Sequence, residues 1–379
     1  MEVRIDRTPL LACLQRTQNI VEKKTTLPIL SNVLIQARSK KLELSATDLE
    51  VGIVQVCEAL VLKEGVATVH ARKLFEIVRE LPDQELSFAL KQGQMEIRSG
   101  RSVFRLRTLS HEEFPKIPQV KSDRSVRLGT SLLADMIRKV SPSIATDEAR
   151  YTLTGVLVQM EKQEDKTLFR MISTDSHRLS LCERVLEQNE AIEDLTPFIG
   201  PDSRHIILPR KGIVEMGSLS EQGQDGDVEF GIHKENAFVR TENFSMLMRL
   251  VQGKFPDYRT VIPSQVETVL ELKSPLLEQA LRRVAVLSTE KSRGVRLAVE
   301  SGKAIMYSTS PEIGEAQEEI DVLYSGEPFE VAFNVKYLMD VLQILTGTIV
   351  MKFGKNLKPC LIHDKEDSHY LYVVMPLRL

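Results

Sequence analysis

The sequence contains no tryptophan, and its four cysteines, Cys13, Cys57, Cys182 and Cys360, are scattered and never form a CxxC pair. A zinc framework or a disulfide-stapled domain is therefore not expected. No apolar run approaches the ~18–20 residues that span a bilayer. The N-terminus also lacks the basic start and long apolar core of a signal peptide. These absences predict a cytoplasmic protein that has no membrane partner, no structural metal and no cofactor.

Charge of one sign is also missing, because 50 basic and 53 acidic residues leave a net charge of −3. This balance carries no global sign of nucleic-acid binding, so only the distribution of charge can support such a function. At 379 residues the chain suits two or three domains rather than one core.

The most informative feature of the sequence is a stretch that recurs three times. Residues Leu27–Glu50 predict two short strands, Asn32–Gln36 and Leu42–Ser45, followed by a polar turn that begins at Thr47. Related stretches cover Tyr151–Leu181 and Arg293–Glu312. Similarity at such a long period indicates internal repeats. We call the turns that begin at Thr47, Thr174 and Thr309 the threonine turns.

A second landmark recurs after each threonine turn, where a helix is followed by a strand run and a closing proline. The helix start and the proline are 43, 46 and 41 residues apart in the pairs Arg72–Pro115, Arg210–Pro256 and Val335–Pro376. Each repeat also opens on a helix signal, predicted over Arg7–Lys24 with Thr8 as its cap, Ser131–Val140 and Ser274–Leu287.

The strands alternate between apolar and polar residues, which favours antiparallel sheets with helices on one face. The sequence therefore predicts an α+β protein of three tandem domains, at residues 1–121, 122–263 and 264–379.

Cations occur on all six predicted helices, whereas acidic residues gather in strands and turns. Cations at the start of the second helix of a repeat gain nothing from the helix dipole, so they suit an external anion. Neutralising backbone phosphates is independent of base sequence and lets a protein slide on DNA.

A geometric estimate limits how such helices could surround DNA. Six helices at ~9–10 Å spacing around a circle leave a hole of roughly 8 Å, whereas twelve leave roughly 26 Å. The two groove depths of a duplex alone sum to about 16 Å, so only the larger hole admits it. A ring around DNA would therefore be a head-to-tail homodimer of six domains, with sheets outside and two helices per domain inside.

Closure of such a ring needs complementary ends. The first repeat offers Arg98, Phe104, Arg105 and Leu106 on strands that resemble sheet edges, and the last repeat offers Val286, Leu287, Glu312, Glu315, Glu318 and Glu319.

Several segments resemble the bacterial DNA sliding clamps, the β processivity subunits of the replicative polymerase, over the whole chain and in order. They are TLPILSNVL, SATDLE, VHARKLFEIVRELP, SGRSVFRLRTL, STDSHRL, ILPRKGIVEM, GKFPDYRTVIP, RGVRLAV, FNVKYLMDVL and YVVMPLRL. The resemblance implies three DNA-clamp domains per subunit and a homodimeric ring around double-stranded DNA. It further implies an ATP-driven clamp loader and a tethered polymerase III α subunit, and no catalysis by the ring itself.

The resemblance also implies a cleft for the short clamp-binding peptides of partner proteins. Carried over by motif, its residues are Leu153, Thr174, His177, Arg178, Leu179, Pro256, Val261, Tyr337, Val373, Met375, Pro376, Leu377 and Arg378. Positions that depart from the usual family pattern are Ser176, Thr260, Pro359 and Leu377. The DNA contacts implied in the same way are Lys24, Arg72, Tyr151, Arg210 and Lys211.

Two alternatives remain open. A protein with the same cations could bind nucleic acid without encircling it. Asp175 and His177 could instead serve a hydrolase, because a histidine beside a carboxylate can act as a general base. Against catalysis, the threonine turns of the other two repeats contain no histidine, and the GxxxxGK[ST], GxSxG and HExxH motifs do not occur.

Overall fold

The computed structural model of the chain describes all residues except 23–25, 119, 121–124, 164–165, 187–205, 222–225, 288–293, 358 and 379. The described residues form two compact units. Unit 1 comprises Met1–Ala134 and Lys211–Leu250, and unit 2 comprises residues 135–186, 206–210 and 251–378. The second repeat is thus divided between the units, and we describe each unit by itself.

Among the described residues, the three repeats have the same order of elements apart from one additional strand, β5, in the first repeat. In the first repeat these are β1 (Glu2–Asp6), α1 (Arg7–Ile20), β2 (Asn32–Arg38), β3 (Lys41–Thr47), β4 (Val51–Glu58), β5 (Leu60–Lys63), β6 (Gly65–His70), α2 (Ala71–Glu80), β7 (Glu85–Lys91), β8 (Gln94–Ser99) and β9 (Ser102–Leu109).

The second repeat has no counterpart of β5 among its described residues. Its elements are β10 (Ser125–Gly129), α3 (Thr130–Val140), β11 (Gly155–Gln163), β12 (Lys166–Thr174), β13 (Arg178–Leu186), β14 (Ile207–Pro209), α4 (Arg210–Glu221), β15 (Asp227–His233), β16 (Asn236–Arg240) and β17 (Phe244–Arg249).

The third repeat follows the second element by element. Its elements are β18 (Thr268–Lys273), α5 (Ser274–Val284), β19 (Gly294–Glu300), β20 (Lys303–Ser310), β21 (Gly314–Asp321), β22 (Phe329–Asn334), α6 (Val335–Leu342), β23 (Thr348–Phe353), β24 (Cys360–Asp364) and β25 (Tyr370–Val374). Short 3-10 helices cover Pro28–Ser31, His111–Glu113, Ser141–Ser143, Glu148–Leu153, Tyr258–Val261, Ala285–Leu287 and Lys355–Leu357.

Unit 1 contains one sheet of 13 strands, in the order β10-β15-β16-β17-β4-β3-β2-β6-β9-β8-β7-β1-β5. The first and second repeats meet in this sheet where β17 pairs with β4, with Gly52 opposite Leu247. We call this pairing the first junction.

Unit 2 contains an eight-stranded sheet in the order β14-β11-β12-β13-β25-β24-β23-β18 and a four-stranded sheet in the order β21-β20-β19-β22. The second and third repeats meet where β25 pairs with β13, with Leu179 opposite Val373. We call this pairing the second junction. Every strand pairing between the described strands is antiparallel, as the alternating pattern predicted.

The helices pack their apolar stripes against these sheets. In α1, Leu10, Leu14 and Ile20 are fully buried, and the helix contacts α2, β3 and β4. In unit 2, α5 packs against α6, β20 and β21. No helix in the described part of the chain is long and apolar enough to cross a bilayer.

The predicted helix boundaries need three corrections. The first helix ends at Ile20 rather than at Lys24, and Lys24 itself lies outside the described residues. Thr8 is not its cap, because Asp6 holds the cap position and the Thr8 hydroxyl donates to Asp83 Oδ1 at 2.8 Å. The tertiary contact with Asp83 uses the hydroxyl that would otherwise have capped the helix. The third of the predicted opening helices ends at Val284 and continues as a 3-10 turn to Leu287.

Candidate functional site

The second threonine turn is held by its own side chains. The Thr174 hydroxyl donates to the Arg178 carbonyl at 2.7 Å and accepts from the Ser176 backbone N–H at 3.1 Å. Asp175 Oδ1 accepts from the backbone N–H groups of His177 and Arg178, both at 3.0 Å. Local side-chain bonds of this kind are typical of Asx and Thr turns. They bring Ser176 to a left-handed φ of 74°.

The first threonine turn repeats this geometry in unit 1. Asp48 Oδ1 accepts from the backbone N–H groups of Glu50 and Val51 at 3.0 and 2.7 Å, and Leu49 has a φ of 77°. The Thr-Asp pair therefore determines the local conformation in both units.

Arg178 is the anchor of the second junction. Its side chain is only 6% exposed, and its guanidinium donates to Asp175 Oδ2 at 3.0 Å and to Asp340 Oδ2 at 2.6 Å. Burial alone would lower the pKa of Arg178, but the Tyr372 hydroxyl and the two carboxylates raise it. The guanidinium therefore stays charged, and it lies 4.4 Å from the ring centroid of Tyr337.

Tyr337 is held from three sides. The His177 ring stacks against it with 6.3 Å between the ring centroids. The Tyr372 hydroxyl donates to the Tyr337 carbonyl at 2.9 Å. Burial raises the pKa of Tyr372, so this hydroxyl keeps its proton. A half-buried aromatic side chain between His177 and Arg178 is thus fixed in position at the second junction.

An apolar floor lies beside this group. Leu153, Leu179 and Val373 are 7%, 2% and 1% exposed and belong to one hydrophobic cluster of unit 2. Phe255 and Tyr258 pack in the same cluster. They place the chain segment of the predicted residues Pro256 and Val261 next to the floor.

The exposed rim of the site is also apolar. Met375, Leu377 and Val261 are 39%, 41% and 39% exposed. The Met375 N–H donates to the His177 carbonyl at 2.9 Å, and the Leu377 N–H donates to the Ala332 carbonyl at 2.7 Å. We call this assembly of anchored ring, buried floor and exposed rim the apolar cleft.

The structure brings most of the predicted cleft residues together. Hydrogen bonds, ring contacts and strand pairing connect Thr174, His177, Arg178, Leu179, Tyr337, Val373 and Met375. Pro376 is half-buried, and Arg378 is exposed next to Leu377.

Sequence reasoning did not find the residues that anchor this group. Asp340 follows Tyr337 by three residues on α6, a spacing that places both side chains on one face of the helix. That spacing was the sequence signal that could have found Asp340. Tyr372 and Arg150 were also missed. The Arg150 guanidinium donates to the Asp175 carbonyl at 2.6 Å, although 25 residues separate the two in sequence.

The geometry does not favour Asp175 and His177 as a catalytic pair. The Asp175 carboxylate accepts from the backbone N–H of His177 and from Arg178, and the His177 ring faces Tyr337 instead. A general base needs its orienting carboxylate at the ring nitrogen. The arrangement therefore suits binding of an apolar peptide more than proton transfer.

The predicted DNA contacts have different surroundings. Tyr151 is 53% exposed, Arg210 is exposed and Arg72 is half-buried. Lys211 lies at the first junction, where its ammonium contacts Asp48 Oδ2 and donates to the Ile20 carbonyl at 2.5 Å. Lys24 lies outside the described residues.

The predicted interface residues of the first repeat lie on β8 and β9. Phe104 is 37% exposed, and Leu106 is half-buried. Arg98, Lys91 and Arg105 surround Glu96 at 2.8, 3.0 and 2.9 Å, and their hydrogen bonds lower the pKa of Glu96 to about 2. One carboxylate against three cations leaves this strand edge positively charged.

The predicted interface residues of the last repeat lie on β21, in the turn before it (Glu312) and on the 3-10 turn after α5. Val286 is 77% exposed and Leu287 is half-buried. Glu312, Glu315 and Glu319 are exposed, whereas Glu318 accepts from Arg283 Nη2 at 2.6 Å.

Comparisons with known proteins agree along the whole chain. Three family models match in order, those of the N-terminal, central and C-terminal domains of the DNA polymerase III beta subunit, at residues 1–118, 127–257 and 259–378. The beta sliding clamps of Caulobacter vibrioides and Escherichia coli K12 are 37% and 36% identical to this chain over 386 and 382 residues, with 100% of each chain covered.

Solved structures give the same result. The sliding clamp (DNA polymerase III subunit beta) of Bartonella birtlesii, in a crystal structure bound to griselimycin, superposes with a TM-score of 0.92 at 31% identity. The DNA polymerase III subunit beta of Pseudomonas aeruginosa gives 0.87 at 34% identity. Both comparisons cover 100% of each chain. With its three tandem clamp domains and antiparallel sheets, this chain belongs to the family of DNA polymerase III beta subunits, the bacterial sliding clamps.

Proposed function

We propose that this sliding clamp, a non-catalytic processivity factor, works as a head-to-tail homodimer that encloses double-stranded DNA and tethers partner proteins through the apolar cleft. The observation that carries the proposal is the repeated junction. Two of the three equivalent strand pairings are made within the chain, by β17 with β4 and by β25 with β13. The strands that would make the third pairing are β9 and β21.

Both strands have edges available for it. β21 is the outermost strand of its sheet. On the side away from β8, β9 pairs with β6 only at Thr108 and Leu109. Unpaired edges of this kind are templates for pairing with another chain. Each end of one subunit would therefore meet the opposite end of its partner, which closes a dimer with two identical seams.

The internal repeat also predicts the register of this seam. In each repeat, the turn threonine lies opposite one residue of the next strand. The pairs are Thr47 with Gly52, Thr174 with Leu179 and Thr309 with Glu315, so Gly52, Leu179 and Glu315 occupy equivalent positions. At the ends of β9 and β17, the backbone bonds from Thr108 N–H to the Gly93 carbonyl and from Leu250 N–H to the Glu235 carbonyl mark Thr108 and Leu250 as equivalent.

Applying the register of the first junction places Arg105 opposite the partner's Glu315 and Phe104 opposite the partner's Ala316. The charges of Arg105 and the partner's Glu315 are then complementary. Phe104 and Leu106 enter the face that carries Val286 and Leu287.

The exposure of one helix cation, compared with its two buried equivalents, supports the same seam. Arg16 in α1 and Lys139 in α3 occupy equivalent helix positions and are only 5% and 8% exposed, each beside a completed junction. Their equivalent in α5, Arg283, has a side chain that is 55% exposed. The third junction would bury it.

Cysteine cross-linking tests the seam. The backbone bonds that flank the first junction imply that Phe104 and the partner's Ala316 form a non-hydrogen-bonded pair, with Cα atoms about 4.5 Å apart, within disulfide range. The variant Phe104→Cys/Ala316→Cys, in a Cys13→Ser background, should form a covalent dimer on oxidation. The control Phe104→Cys/Gln317→Cys is shifted by one residue to the opposite face and should not. Cross-linking of both variants, or of neither, would refute this register.

DNA enclosure has its own test. A clamp loaded by a bacterial clamp loader and ATP onto a nicked circular plasmid should stay bound and should leave when a restriction enzyme linearises the plasmid. A protein that binds DNA without encircling it would be retained equally on both forms. We assign the DNA-facing role to Arg72, Tyr151 and Arg210, and leave Lys211 to its pairing with Asp48. This replication role places the protein in the cytoplasm.

The apolar cleft supports the tethering of partners. An anchored aromatic ring beside an apolar floor suits a short hydrophobic peptide, as partner motifs of the polymerase III α subunit and of the clamp loader would supply. The probe is a labelled synthetic peptide that copies the clamp-binding motif of an α subunit. His177→Ala should weaken its binding at least several-fold and leave the dimer intact. His369→Ala, another exposed histidine of unit 2, should bind it normally. Equal affinities would contradict the cleft.

A further inference from the structure

The packing of α1 on β4 brings two cysteines together inside unit 1. Gln55 Nε2 donates to the Cys13 carbonyl at 2.8 Å and to Thr17 Oγ1 at 3.2 Å, so this turn of α1 lies directly over Gln55. Cys57 follows Gln55 by two residues and points to the same face of the strand. The Cys13 and Cys57 thiols are hydrogen-bonding neighbours.

The surroundings of the two thiols differ. Cys13 is partly exposed, whereas Cys57 is only 7% exposed and its thiol also lies 3.5 Å from the Leu42 carbonyl. The hydrogen bond from Cys57 lowers the pKa of Cys13, which outweighs the opposing effect of burial, and the Arg16 guanidinium lowers it further. The same hydrogen bond and burial raise the pKa of Cys57. When the pair loses a proton, the negative charge therefore lies on Cys13.

We propose that Cys13 and Cys57 form a reversible oxidation site, in which Cys13 reacts with a peroxide and Cys57 resolves the product to a disulfide. A partly exposed cysteine of lowered pKa next to a cation and a second cysteine is the arrangement in which thiol oxidation is selective.

The chemistry is balanced in two steps. The Cys13 thiolate attacks one peroxide oxygen, the O–O bond breaks, and Cys13 becomes a sulfenic acid while the other oxygen leaves as hydroxide, which takes a proton from solvent to become water. The Cys57 sulfur then attacks the Cys13 sulfur, the S–O bond breaks, and the hydroxyl leaves as a second water with the Cys57 proton. Two thiols are oxidised and one peroxide is reduced.

The bond would link α1 covalently to β4, the strand that forms the first junction with β17. It lies in unit 1, whereas the residues of the apolar cleft lie in unit 2. Oxidation should therefore stiffen the first junction and leave peptide binding unchanged.

The other two cysteines serve as internal controls. Cys182 and Cys360 are fully buried in unit 2. Burial raises the pKa of Cys182 to about 11 and that of Cys360 well above its usual value. Neither thiol should react with peroxide in the folded protein.

Peptide mapping by mass spectrometry tests the proposal. The full-length clamp is treated with a small excess of hydrogen peroxide, the remaining thiols are alkylated, and peptides are mapped without reductant. We expect a linked pair that contains Cys13 and Cys57, about 2 Da below the sum of the two peptides. It should disappear with dithiothreitol. Absence of this link, or equal oxidation of Cys182 and Cys360, would overturn the proposal.

A kinetic measurement separates the paired site from simple exposure of Cys13. Cys57→Ala removes the side chain that lowers the pKa of Cys13, so alkylation of Cys13 by iodoacetamide at pH 7 should slow at least several-fold. Cys182→Ala should leave the rate unchanged. An unchanged rate in Cys57→Ala would show that the two sulfurs do not interact. In the unmodified protein, oxidation should raise the melting temperature of unit 1 by a few degrees, and dithiothreitol should reverse the shift.

Discussion

The first and second junctions use the same two strands of the repeat but differ in what lies beside the threonine turn. At the first junction, Lys211 from α4 reaches the turn carboxylate Asp48, and the next residue is Gly212. A Cβ on Gly212 would lie only 2.6 Å from Met248 Sδ, so the helix start packs tightly on β17. The first junction is closed by close packing and one ion pair.

At the second junction the residue equivalent to Gly212 is Tyr337. The cation comes from the strand, as Arg178, and it binds a carboxylate on the turn and another on α6. The ring of Tyr337 then extends beside the turn, together with His177. Both junctions thus continue a sheet from one repeat into the next. Whether an apolar binding surface also forms depends on the residue that follows the first lysine of the helix, which is Gly212 in α4 and Tyr337 in α6.

Removal of the central cation should affect the second junction most. Arg178→Met leaves Asp340 and Asp175 without their buried partner, and breaking a buried ion pair costs about 3–5 kcal/mol. Urea unfolding followed by circular dichroism, with hydrogen exchange to locate the loss in unit 2, measures it. Lys336→Met is the matched control, because Lys336 lies 3.5 Å from the same Asp340 but is 55% exposed. Equal destabilisation by both variants would contradict the anchor role of Arg178.

The same experiment at the first junction should give a smaller effect. Lys211→Met leaves Asp48 buried, with its side chain 6% exposed, but the carboxylate keeps its two backbone donors. We expect a loss of about 1–3 kcal/mol in unit 1. Affinity for the α-subunit peptide should not change, since the cleft lies in unit 2. A drop in peptide affinity would show that the two junctions are not independent.

Acid should distinguish the second junction from the first as well. In unit 2, burial alone would raise the pKa values of Asp135 and Asp367, but Lys139 and neighbouring cations lower them. A lowered carboxyl pKa gives stability above the unfolded pKa, and this stability is lost as pH falls through the folded pKa. Burial instead raises the pKa of Glu215 in unit 1, so its contribution is largest below its unfolded pKa.

Between pH 5 and pH 3, hydrogen exchange corrected for intrinsic rates should therefore show protection lost around β13 and β25 before it is lost around β4 and β17. Asp367→Asn should reduce this difference, because it removes one of the carboxylates that must be protonated. Loss of protection around β4 and β17 first would reverse the assignment.

The smallest effect concerns the shared turn. Leu49 and Ser176 have φ values of 77° and 74°, and the left-handed region costs a residue with a Cβ about 1 kcal/mol or more. Leu49→Gly and Ser176→Gly should each stabilise their unit by up to about 1 kcal/mol, as measured by urea unfolding. Destabilisation by either glycine would mean that its side chain contributes contacts that outweigh the strain.

Much of the fold could be predicted because its signals are local. Alternation along strands, the Thr-Asp turns and the helix starts each involve residues a few positions apart. The antiparallel sheets and the common element order of three repeats followed from them. The domain limits at 121/122 and 263/264 remain a prediction, since the compact units divide the chain within the second repeat instead.

The candidate site was less accessible from the sequence. Its residue types were indicated by resemblance to the clamp family, but Asp340, Tyr372 and Arg150 were missed. Nothing in the spacing connects them to Arg178 or Asp175. The commitment of Lys211 to Asp48 was missed for the same reason, since 163 residues separate the two.

The sequence by itself determined the three repeats, their antiparallel strands and the conformation of the threonine turns, because each depends on neighbours along the chain. Only the tertiary structure decided that one junction is sealed by Lys211 and Gly212 and the other presents Tyr337. The physical reason is that ion pairs and ring contacts form between residues brought together by strand pairing, such as Arg178 and Asp340, which are 162 positions apart.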